Sequence, residues 1–143
     1  MPPPQETDPQ EPQEDSEAAP IERSVAGELQ DADFDRELLE TFIEEAEDLQ
    51  AEIGEGLSAW QAAHDQFEHA DAIHRSLHTL KGGARLSGLE DLGTMSHEFE
   101  SLIIDRQVMR SVDDAFFAEC FRHFDQIVGE IERVRKALGA GGS

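Results

Sequence analysis

Two histidines one helical turn apart, His74 and His78, stand in the longest acid-free stretch of a very acidic sequence. From Ala72 to Leu89 there is no Asp or Glu, while Arg75, Lys81 and Arg85 all fall there. At 100° per residue, His74, His78, Lys81 and Arg85 share one helical face, one position away from the apolar stripe Ile73, Leu77, Leu80 and Ala84. The apolar set must face a core, so the imidazoles and cations lie along an open flank. Two chemistries suit that flank. Neutral imidazole among fixed cations is a nucleophile for an anion that arrives and leaves. Alternatively, His-x-x-x-His is the spacing of a helical metal pair, with His97 and Glu100 as further candidate ligands. Lys81 and the two arginines weigh against a divalent cation, which they would repel.

Gly82 and Gly83 sharpen the first reading. Two glycines inside a helix cost about 2 kcal/mol relative to alanine, so some other gain must offset them. Helical side chains lean toward the N-terminus, and residue 82 is therefore the one that would shade His78. A glycine there leaves the imidazole bare. Gly83 has no side chain to hold off a neighbouring helix or a visiting protein. The pattern describes an exposed ring that a bulky partner reaches.

The elements that must position this ring are helices. Phe34, Leu38, Phe42, Ala46, Leu49, Ile53, Leu57 and Trp60 recur at steps of three and four, the mark of one long amphipathic helix, which Gly54 and Gly56 are expected to interrupt. A break near Ala63–Gln66 precedes the helix of the two histidines, and Gly88 is placed to end it in a left-handed cap. Leu89, Leu92, Met95, Phe99, Leu102 and Ile103 form a third stripe. Ser111 with Asp114 resembles a capping box opening a fourth helix, which buries Phe117, Cys120, Phe124, Ile127, Ile131 and Leu138. Arg133, Arg135 and Lys136 are expected in its last turns, where cations complement the helix dipole. No segment alternates with period two. Short connections between such helices predict an all-α, antiparallel up-down four-helix bundle over residues 33–139.

Composition narrows the classes. Of 143 residues, 33 are acidic and 11 are Lys or Arg, giving a formal charge of −22. Such a surface repels nucleic-acid phosphates and anionic lipid, so neither is expected as a partner. No apolar run reaches the length of a membrane span, and the first residues carry no signal-peptide core. One cysteine, Cys120, excludes an internal disulfide and fits a cytoplasmic setting. All six prolines lie within residues 1–32, together with nine acids and a single basic residue, Arg23. That stretch reads as a disordered tail or linker, and residues 140–143 as a linker end.

His78-Thr79-Leu80-Lys81-Gly82-Gly83-Ala84-Arg85-Leu86-Ser87-Gly88 resembles the signature of histidine-containing phosphotransfer (HPt) domains, and specifically those at the N-terminus of the chemotaxis kinase CheA. Phe42-Ile43-Glu44-Glu45-Ala46-Glu47-Asp48-Leu49 resembles the first helix of that subfamily, and His97-Glu98-Phe99-Glu100 its His-x-x-Glu. Ile73-His74-Arg75-Ser76-Leu77 with Ala84-Arg85-Leu86 looks most like the multi-HPt hybrid kinases of type IV pilus chemosensory systems. The likeness spans roughly residues 33–138.

The resemblance implies that His78 is a phosphoacceptor, attacking as neutral imidazole, the form that predominates for an unperturbed ring at neutral pH. It implies that Glu100 accepts a hydrogen bond from Nδ1–H and turns the Nε2 lone pair outward. Lys81 would steady the phosphoryl oxygens. His74, Gly82, Gly83, Arg85 and His97 would meet the partner. The expected partners are a histidine kinase catalytic domain and response-regulator receiver domains, which supply ATP and Mg²⁺; no cofactor is held stably, and the isolated domain is expected to be a monomer. There is no P-loop and no kinase glycine loop, so the chain relays phosphate without being a kinase itself. A bundle that binds receivers or scaffolds without accepting phosphate is the competing reading within the family.

Overall fold

The computed structural model describes the backbone from Glu28 to Gly142 and the side chains of residues 35–139. Residues 1–27 of the expected tail, and Ser143, lie outside the described residues. Within them the chain forms four helices and no strand: α1 Glu28–Ala62, α2 Glu68–Leu86, α3 Glu90–Met109 and α4 Asp114–Gly142. The connections are three to five residues long, which makes sequential helices antiparallel neighbours. Side chains fix the α2–α3 register. Gln107 donates to Asp71 at 2.8 Å near one end, Glu100 meets His74, His78 and Lys81 in the middle, and the Arg85 stem crosses Gly93 at the other.

The apolar stripes meet in one core. Ile53, Leu57, Trp60, Leu77, Leu80, Phe99 and Phe117 are fully buried; removing each such side chain from water stabilises the fold by about 1.5–3 kcal/mol. Trp60 holds one end, edge-on to Phe67, Phe116 and Phe117 at 5.2–5.4 Å, with its Nε1–H donating to the His64 carbonyl at 3.1 Å. This edge-to-face geometry sets positive ring edges against negative faces.

Several local expectations shift. The α1 stripe runs one residue later at its start: Leu38 is half exposed, while Leu39 packs on the core and Phe42 and Ile43 are buried. Gly54 and Gly56 do not interrupt α1. A Cβ at Gly54 would stand 3.0 Å from Phe124 Cζ, and one at Gly56 only 2.8 Å from Ile73 Cγ1, so both glycines admit close helix approach. The N-cap of α4 is not Ser111 but Asp113, whose carboxylate accepts the Phe116 N–H at 2.8 Å. The fourth helix also runs through Gly142 rather than stopping before residues 140–143, so the basic trio is not in its last turn. Those cations serve acidic neighbours instead: Arg135 grips Glu47 of α1 through two bonds of 3.0 and 2.7 Å, Arg133 pairs with Glu130, and Lys136 approaches Glu132.

The end of α2 is as anticipated. Gly88 has φ +79°, Leu89 N–H returns to the Ala84 carbonyl at 2.8 Å and Gly88 N–H to Arg85 at 3.2 Å. This paired closure needs a left-handed residue, which glycine adopts without steric cost. It releases the chain into α3 at the register that brings Glu100 opposite the histidines.

Candidate functional site

The site is assembled by two helices. On α2, the buried stripe Ile73, Leu77, Leu80 and Ala84 turns His74, His78 and Lys81 toward the α2–α3 seam. On α3, Phe99 and Ile103 anchor the core side, and Glu100, next to Phe99, is carried to the same seam and buried there, its side chain 5% exposed. Three donors converge on this carboxylate. Lys81 Nζ lies 2.6 Å from Oε1. His78 Nδ1 lies 3.1 Å from Oε2, and His74 Nε2 lies 3.2 Å from the same oxygen.

The charge on Glu100 sets the tautomers. Burial pushes its pKa up, but the hydrogen bonds from Lys81 and then His78, with the positive charge of Lys81, outweigh that and hold it below the usual carboxylate value. An ionised carboxylate only accepts, so both rings must donate to it. In its neutral form His78 therefore carries its hydrogen on Nδ1 and its lone pair on Nε2. Its side chain is 69% exposed. The arrangement is an exposed imidazole with a buried negative charge behind the ring.

The two glycines divide the work. A Cβ at Gly82 would meet nothing within 4 Å, while one at Gly83 would overlap Phe42 Cε1. The space beside Gly82 is thus open, and Gly83, read as a close approach for a neighbouring helix or a visiting protein, is the floor against which Phe42 of α1 seats. Gly82→Ala is expected to leave stability unchanged or raise it by up to about 1 kcal/mol. Gly83→Ala is expected to lower it by about 1–3 kcal/mol through overpacking. Thermal unfolding of the two variants checks this, and equal shifts in the same direction would contradict it.

The remaining expected residues are scattered. Lys81 does not stand beside the imidazole as a free charge; its side chain is only 17% exposed and spends its ammonium on Glu100. A buried carboxylate needs that compensation first. Arg85 is exposed at the end of α2, its stem over Gly93. His97 is exposed and makes no hydrogen bond to the cluster, because the inward face of α3 is Leu92, Ser96, Phe99 and Ile103. His74, expected as a partner contact, proves to be bound to Glu100. Neither its sequence position nor its type announces that bond; only the α2–α3 register does. Among the described residues, no group of three or more His, Cys, Asp or Glu is arranged to hold a metal ion, and no helix is long and apolar enough to cross a membrane.

The four-helix bundle thus carries at its α2–α3 seam an exposed imidazole, His78, bonded to a buried glutamate. The Hpt domain family model matches residues 37–137. The chain belongs to the Hpt domain family and is a histidine phosphotransfer module of two-component signalling. It is similar to the chemotaxis protein CheA of Rhizobium meliloti (strain 1021), with 36% identity over 67 residues, 47% of this chain and 9% of that protein. The chain thus spans under a tenth of the curated relative it matches. Its fold is that of the CheA phosphotransferase domain from Thermotoga maritima, with a TM-score of 0.64 at 20% identity, covering 69% of this chain and 95% of the domain.

Proposed function

We propose that His78 is the phosphoacceptor, taking a phosphoryl group from ATP held by a histidine kinase catalytic domain and passing it to an aspartate of a receiver domain. The observation that carries this reading is the pairing of an exposed His78 ring with a 3.1 Å bond from its Nδ1 to buried Glu100. In uptake, the Nε2 lone pair attacks the γ-phosphorus; the P–N bond forms as the P–O bond to departing ADP breaks. The ring gains positive charge, which the Glu100 carboxylate stabilises through Nδ1–H. In transfer, a receiver carboxylate oxygen attacks phosphorus and the electron pair of the P–N bond returns to Nε2. Positioning and charge neutralisation carry most of such a reaction, and Mg²⁺ and ATP enter with the partner domains.

The CheA relative supports placing this module in a chemosensory kinase, and the Ile73–Leu77 and Ala84–Leu86 phrases favour the type IV pilus class with its several HPt copies. In that setting the parent chain is the kinase, the compartment is the cytoplasm, and the isolated module is a monomer. Incubation with a purified kinase catalytic core and ATP is expected to give a phosphoprotein whose label is lost in acid and kept in base. A label stable to acid would reject phosphohistidine. Because nothing overlies the ring from position 82, Gly82→Gln is expected to slow transfer to a receiver by about tenfold with the fold intact. Unchanged receiver kinetics would remove the steric account.

A further inference from the structure

Glu100 Oε2 serves two imidazoles at once, and the lengths record the sharing. The Lys81 bond to Oε1, at 2.6 Å, is at least as short as charge-assisted bonds usually are, about 2.7–2.9 Å. The bonds from His78 and His74, at 3.1 and 3.2 Å, are both long for donors to a carboxylate. The rings converge because His78, leaning toward the helix N-terminus, lies back over the turn that holds His74. His74 is less open than His78, with its side chain 33% exposed against 69%, and its Nε2 is occupied by Glu100.

We infer that His74 is a positioning residue that competes for Glu100 and thereby raises the readiness of phosphorylated His78 to give its group away. The inference rests on His78 as the acceptor. Before attack the His78 ring is neutral; with a phosphoryl group on Nε2 and hydrogen still on Nδ1, it is an imidazolium. Its bond to the carboxylate therefore strengthens as phosphate is taken up. A second donor on the same oxygen draws off part of that gain. The phosphorylated state is less stabilised with His74 present than it would be without it. A relay must release what it accepts, and this neighbour tilts the balance toward release.

The test uses the 143-residue chain and phosphoramidate as donor. Its P–N bond breaks as the P–Nε2 bond forms, and ammonia leaves. His74→Phe keeps a ring of similar size and removes the donor; its partial exposure gives the larger ring room. His74→Gln keeps an N–H that reaches Oε2. His74→Phe is expected to take up phosphate about threefold faster and to a correspondingly higher equilibrium level. In that variant the His78 Nδ1–H proton resonance moves downfield, the signature of a stronger hydrogen bond. His74→Gln is expected to stay close to the unsubstituted chain in both readouts. An unmoved proton with unchanged or slower uptake in His74→Phe overturns the inference and leaves the assignment of His78 standing. Uptake that persists in His78→Gln overturns that assignment, and the inference with it.

Discussion

His78→Gln is expected to reduce phosphoryl uptake from a kinase core and ATP to background while leaving the melting temperature within a degree or two. The loss is total because no other group is placed to substitute. His74 shares the flank and the carboxylate, but it is half as exposed, and Glu100 holds its Nε2. Its remaining nitrogen, Nδ1, adjoins the ring carbon that joins the side chain to the backbone, where a phosphoryl donor has less room than at a distal Nε2. Stability is spared for a separate reason: the His78 side chain is mostly in solvent and contributes one partly exposed hydrogen bond. Glutamine can still donate to Oε2. Such a surface change falls within about 0.5 kcal/mol. His74→Gln, in contrast, keeps full labelling. Label surviving in His78→Gln and vanishing in His74→Gln would exchange the two roles.

Glu100→Gln is the second large effect, and it acts on both chemistry and stability. The neutral amide cannot stabilise an imidazolium as a carboxylate does, and its NH₂ can turn toward Nδ1 and favour the wrong tautomer. Losing one charge-assisted hydrogen bond in the transition state, about 1.5–3 kcal/mol, slows uptake by about ten- to a hundredfold. The fold also weakens, by about 1–3 kcal/mol, because the mostly covered Lys81 ammonium loses its ion pair with Glu100. The pH dependence has a definite sign. Burial raises the Glu100 pKa, but the Lys81 and His78 bonds win and hold it below its ordinary value. A carboxyl depressed on folding adds stability that is fully present above its unfolded pKa, about 4.3, and is lost as pH falls through the folded value. The difference in unfolding free energy between the unsubstituted chain and Glu100→Gln is therefore expected to be largest near neutrality and to close as pH drops below about 4. Comparing the two chains isolates Glu100 from Glu47, which Arg135 also holds low. A difference that stays constant from pH 7 to pH 3 would show that this carboxylate is not ionised in the folded protein.

Much of this was legible in the residues. The spacing of apolar side chains located all four helices, and the stripe of α2 alone placed His74, His78 and Lys81 on one flank. Gly82 and Gly83 are identical letters with opposite roles. The helical lean explained the first, while the second depended on Phe42 of another helix, which no local pattern reports. Asp113 rather than Ser111 caps α4 because either residue can cap, and the choice is made by where the chain leaves α3. The basic trio suggested a helix end since the dipole favours it, yet the acids of α1 and α4 offered stronger partners. The fate of Lys81 and His74 was hidden for one reason. Both answer to Glu100, and a carboxylate on one helix meets donors on another only through the inter-helix register. Sequence gives the composition of such a site; packing decides which donors share which oxygen.

The most direct measurement is to place the phosphate on an atom. Phosphorylated protein labelled with ¹⁵N in its histidine rings, studied by phosphorus–nitrogen coupling and by mass spectrometry of its peptides, reports both residue and nitrogen. The geometry around Glu100 predicts phosphate on Nε2 of His78 with hydrogen retained on Nδ1. Phosphate on Nδ1 of that ring, or on His74, would contradict it.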